Sequence, residues 1–115
     1  MMPKVNHILF VCRQNQMRSR TAETIFGETE HYICRSAGLS KHAPVHLDKS
    51  IIDWADIIFV MQEKHKRSIC NSFPLEASIK AIIVLDIEDH YYFMEPALVE
   101  LLETKVRPYL DTLSI

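Results

Sequence analysis

Four short apolar runs, spaced by stretches with helical character, constrain this chain more than any other feature. They are "VNHILFVC" (5–12), "HYICRSAG" (31–38), "ADIIFVM" (55–61) and "IKAIIVLDI" (79–87). The first, third and fourth are nearly continuous in Val, Ile, Leu and Phe, the pattern of strands buried on both faces. Between the runs, "SRTAETIFGE" sets Ala22, Ile25 and Phe26 on one side of a helix that Gly27 and Thr29 end. "LSKHAPVHLDKS" reads as loop, with Asp48 placed to cap a short helix containing Ile51, Ile52 and Trp54. "QEKHKRSICNSF" reads as an exposed helix ending near Asn71. The last helix, "PALVELLETKVRPYL", starts at Pro96 and repeats Leu98, Leu101, Leu102 and Val106 at helical spacing. Pro108 lacks a backbone donor and is expected to kink or stop it near Arg107.

Strand and helix alternate four times, which implies a parallel sheet covered by helices. The expected fold is α/β, with three layers and a four-stranded parallel sheet carrying helices on both faces. A chain of 115 residues fits one domain, 1–115. In open sheets of this kind ligands bind beyond the carboxyl ends of the strands. Cys12 ends the first strand, and Asp86 and Asp89 come just after the fourth.

Composition narrows the partners. A net charge of -2 lacks the basic excess of a nucleic-acid binder. No apolar run approaches a membrane span, and "MMPKVNHILFVC" lacks the long apolar core of a signal peptide. The cysteines are three, Cys12, Cys34 and Cys70, without paired spacing. Free thiols in a reducing compartment are expected, and with them a cytoplasmic location; a monomer is expected as well.

The loop "CRQNQMRS" joins the first strand to a helix N-terminus. Its successive N–H groups can curl around an anion, and the helix dipole adds positive potential there. Such surroundings hold a thiol as thiolate, its reactive form. Arg18 can grip two oxygens of a tetrahedral oxyanion through its planar fork. Ser19 can donate a hydrogen bond to the sulfur. Asn15 stands where the turn needs a left-handed backbone, which asparagine tolerates. Arg13, Gln14, Asn15, Gln16, Met17, Arg18 and Ser19 together form the candidate phosphate cradle, with Cys12 at its base.

This C-x5-R-S arrangement after a strand resembles the low-molecular-weight protein tyrosine phosphatases. The resemblance extends over "ILFVC..N..RS..AE", "RSAG", "WADIIFVM" and "IEDHYY", the last similar to the family's acid loop. It implies a phosphatase acting on phosphotyrosine or similar aryl phosphates without a metal or cofactor. Cys12 would be the nucleophile, Arg18 the oxyanion holder and Asp89 the general acid, with Tyr91 and Tyr92 candidates for the cleft wall. The expected ligands are a phosphorylated protein or small aryl phosphate, and inorganic phosphate or a similar oxyanion in the loop. The chain departs from the family pattern at Gln14, where glycine is usual, at Met17, where a second cysteine is common, and at His90, where the acid loop usually has proline. A disulfide within the loop is therefore not open to Cys12, and the acid loop is expected to be less rigid. The segment between Gly38 and Trp54 is shorter than in the family.

Other readings stand beside these. Cys12 alone could be a core residue, Asp89 a turn residue, and Asp86 either a second acid or a strand terminator. Tyr91 and Tyr92 could simply pack. Cys34 and Cys70 are core or helix residues unless one resolves a mixed disulfide, as in thiol-dependent arsenate reductases of this fold. A third class is a module that binds phosphate or a phosphoprotein without turnover. His42 and His46 share a metal-like spacing, but Pro44 between them breaks any helix, and no metal is expected.

Overall fold

A computed structural model describes residues 4–113. Its elements run in the order β1 (Asn6–Cys12), α1 (Arg18–Phe26), β2 (Tyr32–Gly38), α2 (Lys49–Trp54), β3 (Ile57–Val60), α3 (Glu63–Ser72), α4 (Pro74–Ala77), β4 (Ala81–Val84) and α5 (Pro96–Leu113). All four strands run parallel, in the order β2-β1-β3-β4.

The pleat of β1 sorts the core into two halves. Ile8, Phe10 and Cys12 face one side, with Ala22 and Phe26 of α1 and Leu98, Leu102, Val106 and Leu110 of α5. Leu9 and Val11 face the other, with Ile52 of α2, Ile69 of α3 and Ala77 of α4. Successive strand side chains point to opposite faces, so an unbroken apolar strand requires a helix layer on each side. That is the three-layer architecture expected from the alternation. Each fully buried Leu or Val in α5 contributes roughly 1.5–3 kcal/mol relative to exposure. Among the described residues no helix is long and apolar enough to cross a membrane.

Three local expectations change. Pro108 does not end α5, which continues to Leu113. An interior proline costs roughly 3 kcal/mol, but Leu110 beyond it is buried and Tyr109 meets Phe59 edge-on at 5.4 Å, and these contacts offset the cost. The fourth strand is only partly buried along Ile82–Val84, because β4 is an edge of the sheet and an apolar run does not distinguish edge from centre. The short α4 is unforeseen; Pro74 opens it at the helix position that tolerates a missing N–H.

The other signals hold. Asp48 caps α2, accepting a hydrogen bond from the Ile51 N–H at 2.9 Å. Gly27, with φ 57°, ends α1 in a conformation that would strain most side chains.

Candidate active site

The carboxyl ends of β1 and β3 open on one edge of the sheet, where the β1–α1 loop turns back over Cys12. Asn15 makes that turn with φ 56°. Its N–H points back at Cys12 Sγ, 3.3 Å away. Ser19 Oγ lies 3.1 Å from the same sulfur. The Asn15 side chain holds Ser19 Oγ in that position. The Val45 N–H donates to Asn15 Oδ1 at 3.2 Å, so the amide nitrogen faces Ser19 and donates to its Oγ at 2.9 Å. That contact fixes Ser19 Oγ beside the sulfur, where its hydroxyl can donate to a thiolate at Cys12. Two donors converge on the sulfur, an arrangement that suits a thiolate acceptor.

Gly38 supports the turn from beneath. It pairs with Cys12 across β1 and β2, and a Cβ on it would lie 2.6 Å from Ala43 Cβ, 2.8 Å from Arg13 O and 2.9 Å from Asn15 Cβ. Only glycine lets the loop approach this closely. The loop is further tied to the segment after β2, with Leu39 N–H donating to Cys12 O and Ser40 N–H to Arg13 O.

Arg18 opens α1 and is almost wholly buried. Its Nη1 donates to Gln62 Oε1 and to Ile87 O, each at 2.8 Å. Its Nη2 stands 3.6 Å from Asp89 Oδ1, an open ion pair. Burial pulls the guanidinium pKa down, against Asp89 and Cys12, which raise it. A buried cation with two neutral acceptors and one distant carboxylate is under-compensated, and an anion at its free edge would relieve that.

A hollow of about 200 Å³ lies over the sulfur, lined by Cys12, Gln14, Gln16, Met17, Arg18 and Asp89. The structure thus brings most of the cradle residues and the acid-loop aspartate to one opening. Arg13 and Gln14 are exposed and Asn15 is buried beneath the turn. Asp86 adopts φ 58° just after β4, and Tyr92 is largely exposed. Tyr91 faces another hollow, shared with Ala97, Glu100, Leu101 and Thr104, and tilts against the His90 ring. A larger hollow of about 440 Å³ lies away from the sulfur, among Glu23, Arg35, Ser36, Val45, Ser50, Ile51 and Trp54. Its charged groups are engaged there: Glu23 accepts from the Ser36 N–H, and Arg35 stacks over Trp54 at 4.7 Å. It holds no thiol.

The remaining thiols lie apart. Cys34 is buried, paired in register with Ile8, four residues before Cys12 and so roughly 13 Å along the strand. Burial, reinforced by Glu23, pushes its pKa up to about 12. Cys70 is exposed on α3.

Sequence reading missed the roles of Gln62, Val45 and Lys105, and of the carbonyl of Ile87, which it places in the acid loop. Gln62 and Ile87 O hold Arg18, Val45 orients Asn15, and Lys105 of α5 donates to Leu85 O at 2.8 Å and Asp86 O at 3.1 Å, fixing the entry to the acid loop. Gln62, Val45 and Lys105 stand in no local pattern that marks them.

No sequence-family profile matches the chain, and no curated protein does. Solved structures do. The chain is similar to YwlE arginine phosphatase from Geobacillus stearothermophilus, with 26% identity and a TM-score of 0.74 over 95% of this chain and 93% of that one. It is similar to the low-molecular-weight protein tyrosine phosphatase from T. tengcongensis, with 22% identity and a TM-score of 0.74 over 93% and 99% of the two chains. It is also similar to the tyrosine phosphatase Wzb from Escherichia coli K30, solved in complex with phosphate, with 17% identity and a TM-score of 0.71 over 93% and 97%. The likeness spans nearly the whole of each chain, and it agrees with the resemblance read from the first loop. In fold, this chain is similar along nearly its whole length to the low-molecular-weight protein tyrosine phosphatases.

Proposed function

We propose that this protein is a phosphatase of phosphate monoesters such as phosphotyrosine, working through a cysteinyl-phosphate on Cys12. The observation that carries the reading is the sulfur held under two donors, with a buried, under-compensated arginine beside it and Asp89 across the same hollow. Cys12 Sγ attacks phosphorus as the bond to the leaving oxygen breaks. Asp89, protonated, gives its proton to that oxygen. Asp89, now a carboxylate, then takes a proton from water as the water attacks the phosphocysteine, releasing phosphate and the thiolate. The loop amides and Arg18 hold the three equatorial oxygens by preorganised electrostatics.

A second substrate class is favoured by the lining. The hollow is bordered by the side chains of Gln14, Gln16 and Met17, while Tyr91 faces elsewhere and Tyr92 is exposed. Such a mouth can hydrogen-bond a polar leaving group as readily as it packs a ring, and one similar structure is that of an arginine phosphatase. Phosphoarginine is therefore the alternative substrate. Arsenate reduction has less support, since Cys34 is distant, buried and held protonated.

The test is turnover of p-nitrophenyl phosphate in EDTA, and then of phosphotyrosine peptide against phosphoarginine. Turnover is expected to vanish in Cys12→Ser and to fall by about 10²- to 10⁴-fold in Asp89→Asn. Phosphate binding without turnover would instead make the chain a binding module. Activity that needs thiol reductant and Cys70 would make it a reductase.

A further inference from the structure

Arg18 is held by groups that carry no charge. We infer that Gln62 is a positioning residue that fixes the guanidinium through an uncharged acceptor, leaving the Nε–Nη2 edge of Arg18 and its full charge to the oxyanion. This rests on the phosphatase reading and deepens it.

A guanidinium has five N–H donors, two of them on Nη1. Here Nη1 has two acceptors, Gln62 Oε1 and Ile87 O, both at 2.8 Å. The plane is thereby fixed, and the side-on fork of Nε and Nη2 remains for a bidentate anion. The nearest carboxylate, Asp89, stands off at 3.6 Å and is mostly exposed. A carboxylate in place of Gln62 would hold the arginine as well but would neutralise it.

Gln62 is itself firmly placed. Met61 before it donates to Val11 O, next to Cys12, and accepts from the Ile87 N–H. The Gln62 N–H donates to Nδ1 of His65, which is buried on α3. The residue that holds Arg18 is thus tied to the nucleophile strand, to the acid loop and to α3.

The test compares wild type, Gln62→Glu and Gln62→Met by calorimetric binding of inorganic phosphate, by p-nitrophenyl phosphate kinetics and by melting temperature. Gln62→Glu keeps the length and the acceptor but adds charge, so the phosphate Kd should rise about tenfold. Gln62→Met removes the acceptor and lets the plane swing, so kcat should fall about tenfold with KM changing less than about twofold. Wild-type phosphate affinity in Gln62→Glu, or wild-type kcat in Gln62→Met, overturns the assignment while leaving the phosphatase reading intact. Lowered melting temperatures with unchanged kinetics per folded molecule mark a merely structural role and also overturn it. The predicted shift in phosphate Kd without turnover in wild type supports the assignment and sinks the phosphatase reading alone. Absence of phosphate binding in wild type sinks both.

Discussion

The backbone N–H of Val45 donates to Asn15 Oδ1 across 3.2 Å, and this contact between residues 30 apart in sequence orients the amide that holds Ser19 beside the nucleophile. The amide engages Ser19 Oγ, and the hydroxyl so placed lies 3.1 Å from the sulfur, ready to donate to a thiolate. Removing the amide while keeping the backbone conformation isolates this effect. Asn15→Gly should retain the loop, since glycine accepts φ 56° freely. It should nonetheless lose about tenfold or more in kcat. Asn15→Ala should lose as much activity and be less stable than Asn15→Gly by about 1 kcal/mol, because alanine is strained at that φ. Wild-type kcat in Asn15→Gly would show that Ser19 needs no orienting.

Gly38 is where the cradle rests on β2. A methyl group there meets Arg13 O at 2.8 Å, and a backbone oxygen cannot rotate away as a side chain can. Gly38→Ala should cost about 1–3 kcal/mol in denaturant unfolding and should weaken phosphate binding. Gly27→Ala provides the contrast: its Cβ would meet nothing within 4 Å, so only backbone strain remains and phosphate binding should be unchanged. Equal effects of the two substitutions on phosphate affinity would mean that Gly38 is not a support of the cradle.

Lys105 ties the start of the acid loop to α5 through Leu85 O and Asp86 O. Lys105→Met keeps the aliphatic stem and removes both bonds. The expected result is a fall in kcat of about tenfold, with a smaller loss of phosphate affinity, because the loop reaches the cradle only through the Ile87 carbonyl that holds Arg18. If phosphate affinity falls as far as kcat does, the lysine acts on the whole site and not on Asp89 alone.

His65 carries a pH signature. It is buried, and burial, with the nearby Arg18 charge as the second cause, lowers its pKa to about 4. In the unfolded chain the ordinary value is about 6.5. Between these values the unfolded state binds a proton that the folded state does not, so stability falls as pH drops from about 6.5 towards 4. The full loss is on the order of 3 kcal/mol. His65→Gln can still accept from the Gln62 N–H as in a capping box. It should flatten this slope in melting temperatures taken across the range. An unchanged slope in the variant would assign the acid lability to other groups.

The elements were legible because their causes are local. Unbroken apolar runs gave the strands, helical spacing gave α1 and α5, and Asp48 and Gly27 marked ends through their own side chain or lack of one. Pro108 misled because the same local reasoning ignores Leu110 and Tyr109, whose contacts lie on the sheet.

The order of residues by itself determined the alternating α/β architecture and the turn that sets a sulfur, a left-handed asparagine, an arginine and a hydroxyl within eight consecutive positions. Those depend on side-chain periodicity and on the allowed φ of single residues. The tertiary structure alone decided that β2 and β4 are edges, that Arg18 reaches Gln62 and Ile87 across 44 and 69 residues, and that Tyr91 turns to a different hollow from Asp89. Strand order and register govern those contacts. They are set by how the two faces of the sheet fill with helices, a property of the whole packed core that no short segment encodes.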